Sequence, residues 1–162
     1  MQKEFPTEQL TYGLFGKKRA KCRFFYRNAH KTRILSGKID TSSAGHIQAG
    51  DEPLESALRE LKEELGIHAE SADLQFAGKF PISFAREFHG KIFRDEEIAF
   101  VSIYDHPVEI NHLTLQKEEV EEVQWFDLEE VYEQCGKRRE IFCVPEGGLG
   151  VVRSYLKSIE KN

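Results

Sequence analysis

Arg59-Glu60-Leu61-Lys62-Glu63-Glu64 sets three carboxylates at i, i+3 and i+4, positions that share one face of a helix. Like charges so placed repel by about 0.2–0.5 kcal/mol per pair even in water. Arg59 and Lys62 offset part of that repulsion. A divalent cation offsets more, and Mg²⁺ takes hard oxygen ligands of this kind. The chemistry on offer is the gathering of a metal ion, and through it of phosphate groups. Three glutamates on a helix alone read more often as solvated surface. What shifts the balance is their setting: glycines at 45 and 50 before them, Arg59 among them and Gly66 just after them.

Such a face needs a helix whose other side is buried. Leu54, Leu58, Leu61 and Leu65 fall nearly opposite the glutamates and predict a helix over 52–65. Asp51 is placed to cap it, Pro53 sits in its first turn and Gly66 stops it. Upstream, residues 10–15 and 21–27 read as strands around a Gly16-Lys-Lys-Arg turn, and residues 28–50 as loop with short extended pieces. Downstream, 73–80, 82–88, 97–104 and 120–126 read as strands, with a turn at His89-Gly90. Two more helices are expected, from Leu128 to Gln134 and from Gly147 or Gly148 to Ser158. Strands interleaved with helices give an α/β (α+β) fold, a mixed sheet between helices, in one domain over 1–162.

The 162 residues, 40% hydrophobic with 12 Phe, can fill one core, and a net charge of −5 disfavours a nucleic-acid polymer as partner. Cys22, Cys135 and Cys143 are odd in number and far apart, so reduced thiols are expected, with no disulfide framework or zinc knuckle. No signal-like or membrane-spanning run is present, which gives an expected cytoplasmic location and no membrane.

Residues 45–67, Gly-His-Ile-Gln-Ala-Gly-Asp-Glu-Pro-Leu-Glu-Ser-Ala-Leu-Arg-Glu-Leu-Lys-Glu-Glu-Leu-Gly-Ile, resemble the Nudix box. Its specified positions match except at 51, where Asp stands for the family's Glu. The stretch from Gly37 to His46 resembles the family's approach loop, with Ile39 where Trp is common. Glu119–Phe126 resembles a later family strand. The resemblance implies an α/β/α sandwich with a mixed sheet and hydrolysis of a small-molecule diphosphate. It implies Mg²⁺ or Mn²⁺ held by Glu60, Glu63 and Glu64, with the carbonyl of Gly45 as a further ligand. One of these glutamates would orient or deprotonate water. Arg59 would brace the loop–helix–loop against Asp51, a brace that the shorter acid calls into question. A homodimer is common among similar proteins.

Ser42-Ser43-Ala44-Gly45-His46 resembles the branch that contains isopentenyl diphosphate isomerase, but Ala44 stands where that enzyme needs a reactive Cys. Ala carries no transferable proton, so hydrolysis is favoured over isomerisation. A sensing module that binds a nucleotide without turnover is the other alternative. In this branch acids such as Glu97, in Asp95-Glu96-Glu97, reach the metal site; a charged turn is the alternative reading. Arg27, Lys38 and His46 are candidate phosphate-binding residues, with surface charge or a backbone contact as the alternative. Phe84, Phe88, Phe93 and Tyr104 suit a stacked base or, more simply, the core. The loops 80–96 and 105–118 should carry selectivity, and no motif in them names a substrate.

Overall fold

The structure is a computed structural model and describes residues 7–14, 23–24, 38–88 and 91–161. In chain order its elements are β1 (Thr7–Leu14), β2 (Arg23–Phe24), β3 (Ser43–His46), α1 (Pro53–Leu65), β4 (Leu74–Phe88), β5 (Lys91–Tyr104), β6 (Phe126–Asp127), α2 (Leu128–Cys135) and α3 (Glu146–Ile159). The described strands form one sheet in the order β4-β5-β1-β2-β6, with β3 paired to β1 beside β2. β1 runs parallel to β5 and antiparallel to β2 and β3, so the sheet is mixed, as expected. Helices cover both faces. Ala57, Leu61 and Leu65 of α1 pack with Leu74, Val120 and Val123 on one side. On the other, Leu128 and Val131 of α2 and Leu149 and Val152 of α3 bury Ala99, Val101 and Ile103 of β5.

The stop at the end of α1 has a clear physical basis. Gly66 adopts φ 70°, and the N–H groups of Gly66 and Ile67 return to the carbonyls of Lys62 and Leu61. That is the Schellman pattern, which favours glycine because a Cβ is strained in the left-handed region. A Cβ here would also press on Thr114. Residues 114–116 cross this end of the helix: Thr114 N–H donates to the Leu65 carbonyl and Gln116 N–H to that of Glu64. The turn carrying Glu63 and Glu64 is therefore tied down from outside the helix.

Several expectations are corrected. Asp51 does not cap α1; the N-cap is Glu52, with no side-chain cap bond. Leu54 remains exposed, so the buried stripe begins at Ala57. The two strands expected around Pro81 are one, because β4 is the outer strand of the described sheet and a missing N–H there breaks no second ladder. Residues 120–125 are not a strand. Val120 and Val123 are both buried against α1, and a spacing of three cannot put two side chains on one face of a strand. The turns at 16–19 and 89–90 lie outside the described residues.

Gly66→Ala should lower unfolding stability by about 2 kcal/mol, from left-handed strain plus the contact with Thr114. Urea denaturation with an unchanged slope would measure it; a midpoint equal to that of the parent chain would refute it.

Candidate functional site

Among the described residues β3 is a short strand paired on one side only, with β1, and α1 lies along its other side. Ala44 N–H points outward from the sheet and donates to Glu64 Oε2 at 3.2 Å. Two residues on, the outward carbonyl of His46 accepts from Arg59 Nη2 at 3.3 Å. Edge groups that would otherwise be bare are thus taken by charged side chains of the helix. Between them Gly45 comes so close to α1 that a Cβ would run into the carboxyl group of Glu60. With any larger residue at 45 that carboxylate would have to move off the strand's backbone.

Arg59 holds the cluster together. Its Nη1 donates to Asp51 Oδ2 at 2.6 Å and its Nη2 lies 3.4 Å from Glu60 Oε1. The brace that the shorter Asp51 placed in question is therefore made. The turn before it supplies the reach: Gly50 sits at φ 94° and Asp51 N–H closes on the Gln48 carbonyl. The bond to Asp51 and the charge of Glu60 hold the Arg59 guanidinium above its ordinary pKa, against partial burial. Within the acidic face Glu64 is buried (2% exposed), Glu60 is partly buried and Glu63 is exposed. Their oxygens and the backbone at Gly45 form a hard-oxygen donor set of the kind Mg²⁺ accepts.

Glu97 stands apart from this face. Along β5, residues 99, 101 and 103 turn toward the α2 and α3 core, while Phe100 and Ser102 line a groove at the start of α1. Alternation puts Glu97 with the former set, on the opposite side of the sheet from α1. It is 6% exposed, its Oε2 is buried without a hydrogen-bond partner, and its Oε1 lies 3.8 Å from His46 Nε2. Among the described residues no three His, Cys, Asp or Glu side chains form a group that could hold a metal ion as they stand. Lys38 Nζ donates to the Arg139 carbonyl, on the loop after α2. Arg27 lies outside the described residues.

The described thiols are far from reactive. Cys135 is buried, and burial pushes the Cys143 thiol well above its usual pKa while its Sγ donates to the Ile39 carbonyl. Two features had no signal in the sequence. The Ala44 N–H that fixes Glu64 is a backbone group, and residues 114–116 are loop without a motif.

A family model described as the NUDIX domain matches residues 21–143, more than half of the chain. Curated relatives include an uncharacterised Nudix hydrolase of Clostridium acetobutylicum, 44% identical over 82 residues, covering 51% of this chain and 37% of that protein. Nudix hydrolase 3 of Arabidopsis thaliana is 41% identical over 58% of this chain and 12% of its own length. The Nudix hydrolase YfcD of Escherichia coli is 34% identical over 67% of this chain and 53% of its own. The match thus spans about half or less of these relatives. Among solved structures, a NUDIX hydrolase from Nitrosomonas europaea superposes with TM-score 0.63 at 13% identity, covering 96% and 90% of the two chains. The Caenorhabditis elegans Ap4A hydrolase in a binary complex gives 0.62 at 17%, covering 94% and 98%. These two likenesses concern the fold.

Asp51→Ala should cost about 1 kcal/mol of stability, a modest figure because the Arg59 and Asp51 side chains keep 26% and 31% of their surface in water. Asp51→Glu should recover most of it. Denaturant midpoints compare the three chains, and an unchanged midpoint for Asp51→Ala would show that the brace contributes nothing.

Proposed function

This chain belongs to the NUDIX domain family, and we propose that it hydrolyses a diphosphate linkage in a small organic molecule with the help of Mg²⁺ or Mn²⁺. The observation that carries the reading is the packing of the acidic face of α1 on the edge of β3. Glu60 is seated against Gly45, Glu64 is anchored by Ala44 N–H, and Arg59 ties both ends to Asp51 and His46. Glu60, Glu63 and Glu64, with the Gly45 carbonyl, would hold the ion. Bound there, a divalent ion supplies neutralisation of the diphosphate charge and activation of water.

The protein's own residues set the geometry of attack. Glu64, buried and already bonded to the strand, gives a fixed carboxylate oxygen, and preorganisation of this kind spares reorganisation when charge develops. Glu63, the exposed member, is the carboxylate best placed to orient a solvent water and take its proton. Water adds at phosphorus, the bridging P–O bond breaks, and two phosphorylated products leave. His46, exposed beside Gly45, is placed to meet a phosphate oxygen.

Two observations favour hydrolysis over isomerisation. Ala44 presents only a methyl group where proton transfer to an alkene would need an acid. Both described cysteines, moreover, are engaged in or near the core on the α2 and α3 side. Relatives bearing the name Nudix hydrolase agree with this reading.

Glu63→Gln and Glu64→Gln should each lower kcat by about 10²–10⁴-fold, the range for loss of a positioned acid or base group. The assay is release of phosphate or nucleotide from a diphosphate panel with Mg²⁺ or Mn²⁺. Variants as active as the parent chain would overturn the assignment, and tight binding without product release would mark a sensing module.

A further inference from the structure

Two of the acidic residues of α1 sit where a helix holds its shape least well. Glu63 and Glu64 are among its last three residues. The final carbonyls of a helix have no partner within it, and final turns fray. Here that end is held from outside. Beyond the carbonyls of Lys62 and Leu61, which the Gly66 turn takes, a strap from the loop after β5 takes two more. Thr114 N–H donates to the Leu65 carbonyl at 3.1 Å and Gln116 N–H to the Glu64 carbonyl at 3.0 Å. Leu113 and Leu115 alternate with these donors and pack against the cluster of Ala57, Leu61 and Leu65.

The loop does not need these bonds for its own order. At its start His106 Nε2 lies 2.8 Å from Asp73 Oδ1. Farther on, the N–H groups of His112 and Leu113 close on the carbonyls of Glu109 and Ile110, and those of Glu119 and Val120 on the Gln116 carbonyl. Gln116 is thus a junction: its carbonyl seats Val120, buried against α1, and its N–H holds Glu64. Glu64 is gripped from two directions, at Oε2 by Ala44 N–H and at its backbone carbonyl by Gln116 N–H. With the residue buried in close packing, a shift of its backbone is carried into its carboxylate.

We propose that Gln116 is a positioning residue for Glu64: its backbone N–H keeps the last turn of α1 from fraying and so keeps the Glu64 carboxylate bonded to β3. Its effect on turnover rests on the diphosphohydrolase reading above; its effect on Glu64 does not. Because the donor belongs to the backbone, any residue except proline supplies it, and no motif need mark the position. A misplacement of about 1 Å at a reacting centre costs on the order of 10²-fold in rate. The loss therefore falls on kcat, while groups that bind substrate elsewhere keep KM.

The test uses the full chain with Gln116→Pro, which removes the N–H, and Gln116→Ala, which keeps it. Hydrogen exchange followed by NMR in EDTA reads two amides. That of Ala44 is bonded to Glu64, and that of Cys143 is bonded to the Ile39 carbonyl beside the core of α2 and α3. Gln116→Pro should speed exchange at Ala44 about 10-fold and leave Cys143 within about twofold. On a hydrolysed diphosphate with Mg²⁺, its kcat should fall about 10–100-fold and its KM stay within about threefold. Gln116→Ala should bring both readouts back to within about twofold of the parent chain. Leu115→Ala, which loosens the strap without touching a donor, should speed Ala44 about threefold and serves where the proline variant does not fold. The proposal is overturned if Ala44 is unmoved, if Ala44 and Cys143 quicken together, or if Gln116→Ala loses as much as Gln116→Pro. It is equally overturned if Ala44 quickens in an active protein whose kcat is unchanged. Failure of the hydrolase reading would appear separately, as a parent chain that releases no product while the exchange pattern holds.

Discussion

An edge strand must give its outward N–H and C=O groups to something, and β3 gives them to α1. The bonds from Ala44 N–H to Glu64 and from Arg59 to the His46 carbonyl fix helix and strand in register. Every other property of the site follows from that register. It sets Gly45 opposite Glu60, where any side chain would have displaced the Glu60 carboxyl group. It also gives Glu60 and Glu64, unfavourable together as free surface, defined neighbours in Arg59 and the Ala44 N–H. Charge-assisted bonds to backbone are among the stronger ones a protein makes, so the register resists thermal loosening.

That register is held at both ends of α1 and along its back. At the start, Asp51 grips Arg59; at the finish, Gly66 reverses the chain and residues 114–116 bond the last carbonyls. Along the back, Ala57, Leu61 and Leu65 are wholly buried with Val120 and Val123. Roughly 25 cal/mol per Å² of apolar surface removed from water makes this the larger energetic anchor. The polar bonds at the front contribute less energy and more direction. A functional face needs both, since a helix held only by leucines could slide and one held only by ion pairs would detach.

The sequence made α1 legible because its signals agree. Proline in the first turn, glycine at the end and a leucine stripe at helical period converge on limits within about a residue of those observed. The brace was legible in outline, and its reach was not, because that depends on the turn at Gln48–Asp51. β3 was hidden in a stretch whose glycines and polar residues read as loop. The face of Glu97 was hidden for another reason. In Ile98–Tyr104 both sides of the strand are largely apolar, so alternation carries no label for inside or outside. Only the pairing of β5 with β1 and the seating of α3 decide it. Val120 and Val123 misled by composition: β-branched residues suggested a strand, while their spacing of three already opposed it.

The two acidic sites differ in how their charge is tolerated, and the difference separates their roles. On α1 Glu60 and Glu64 have protein partners, so two of the three carboxylates are ordered before any ligand arrives, as fits groups that must present oxygens at fixed positions. Glu97 has no hydrogen bond for one of its buried oxygens, so its burial carries a cost in the free protein. β3 thus carries both the backbone that seats the helix carboxylates and, at His46, the side chain that approaches Glu97.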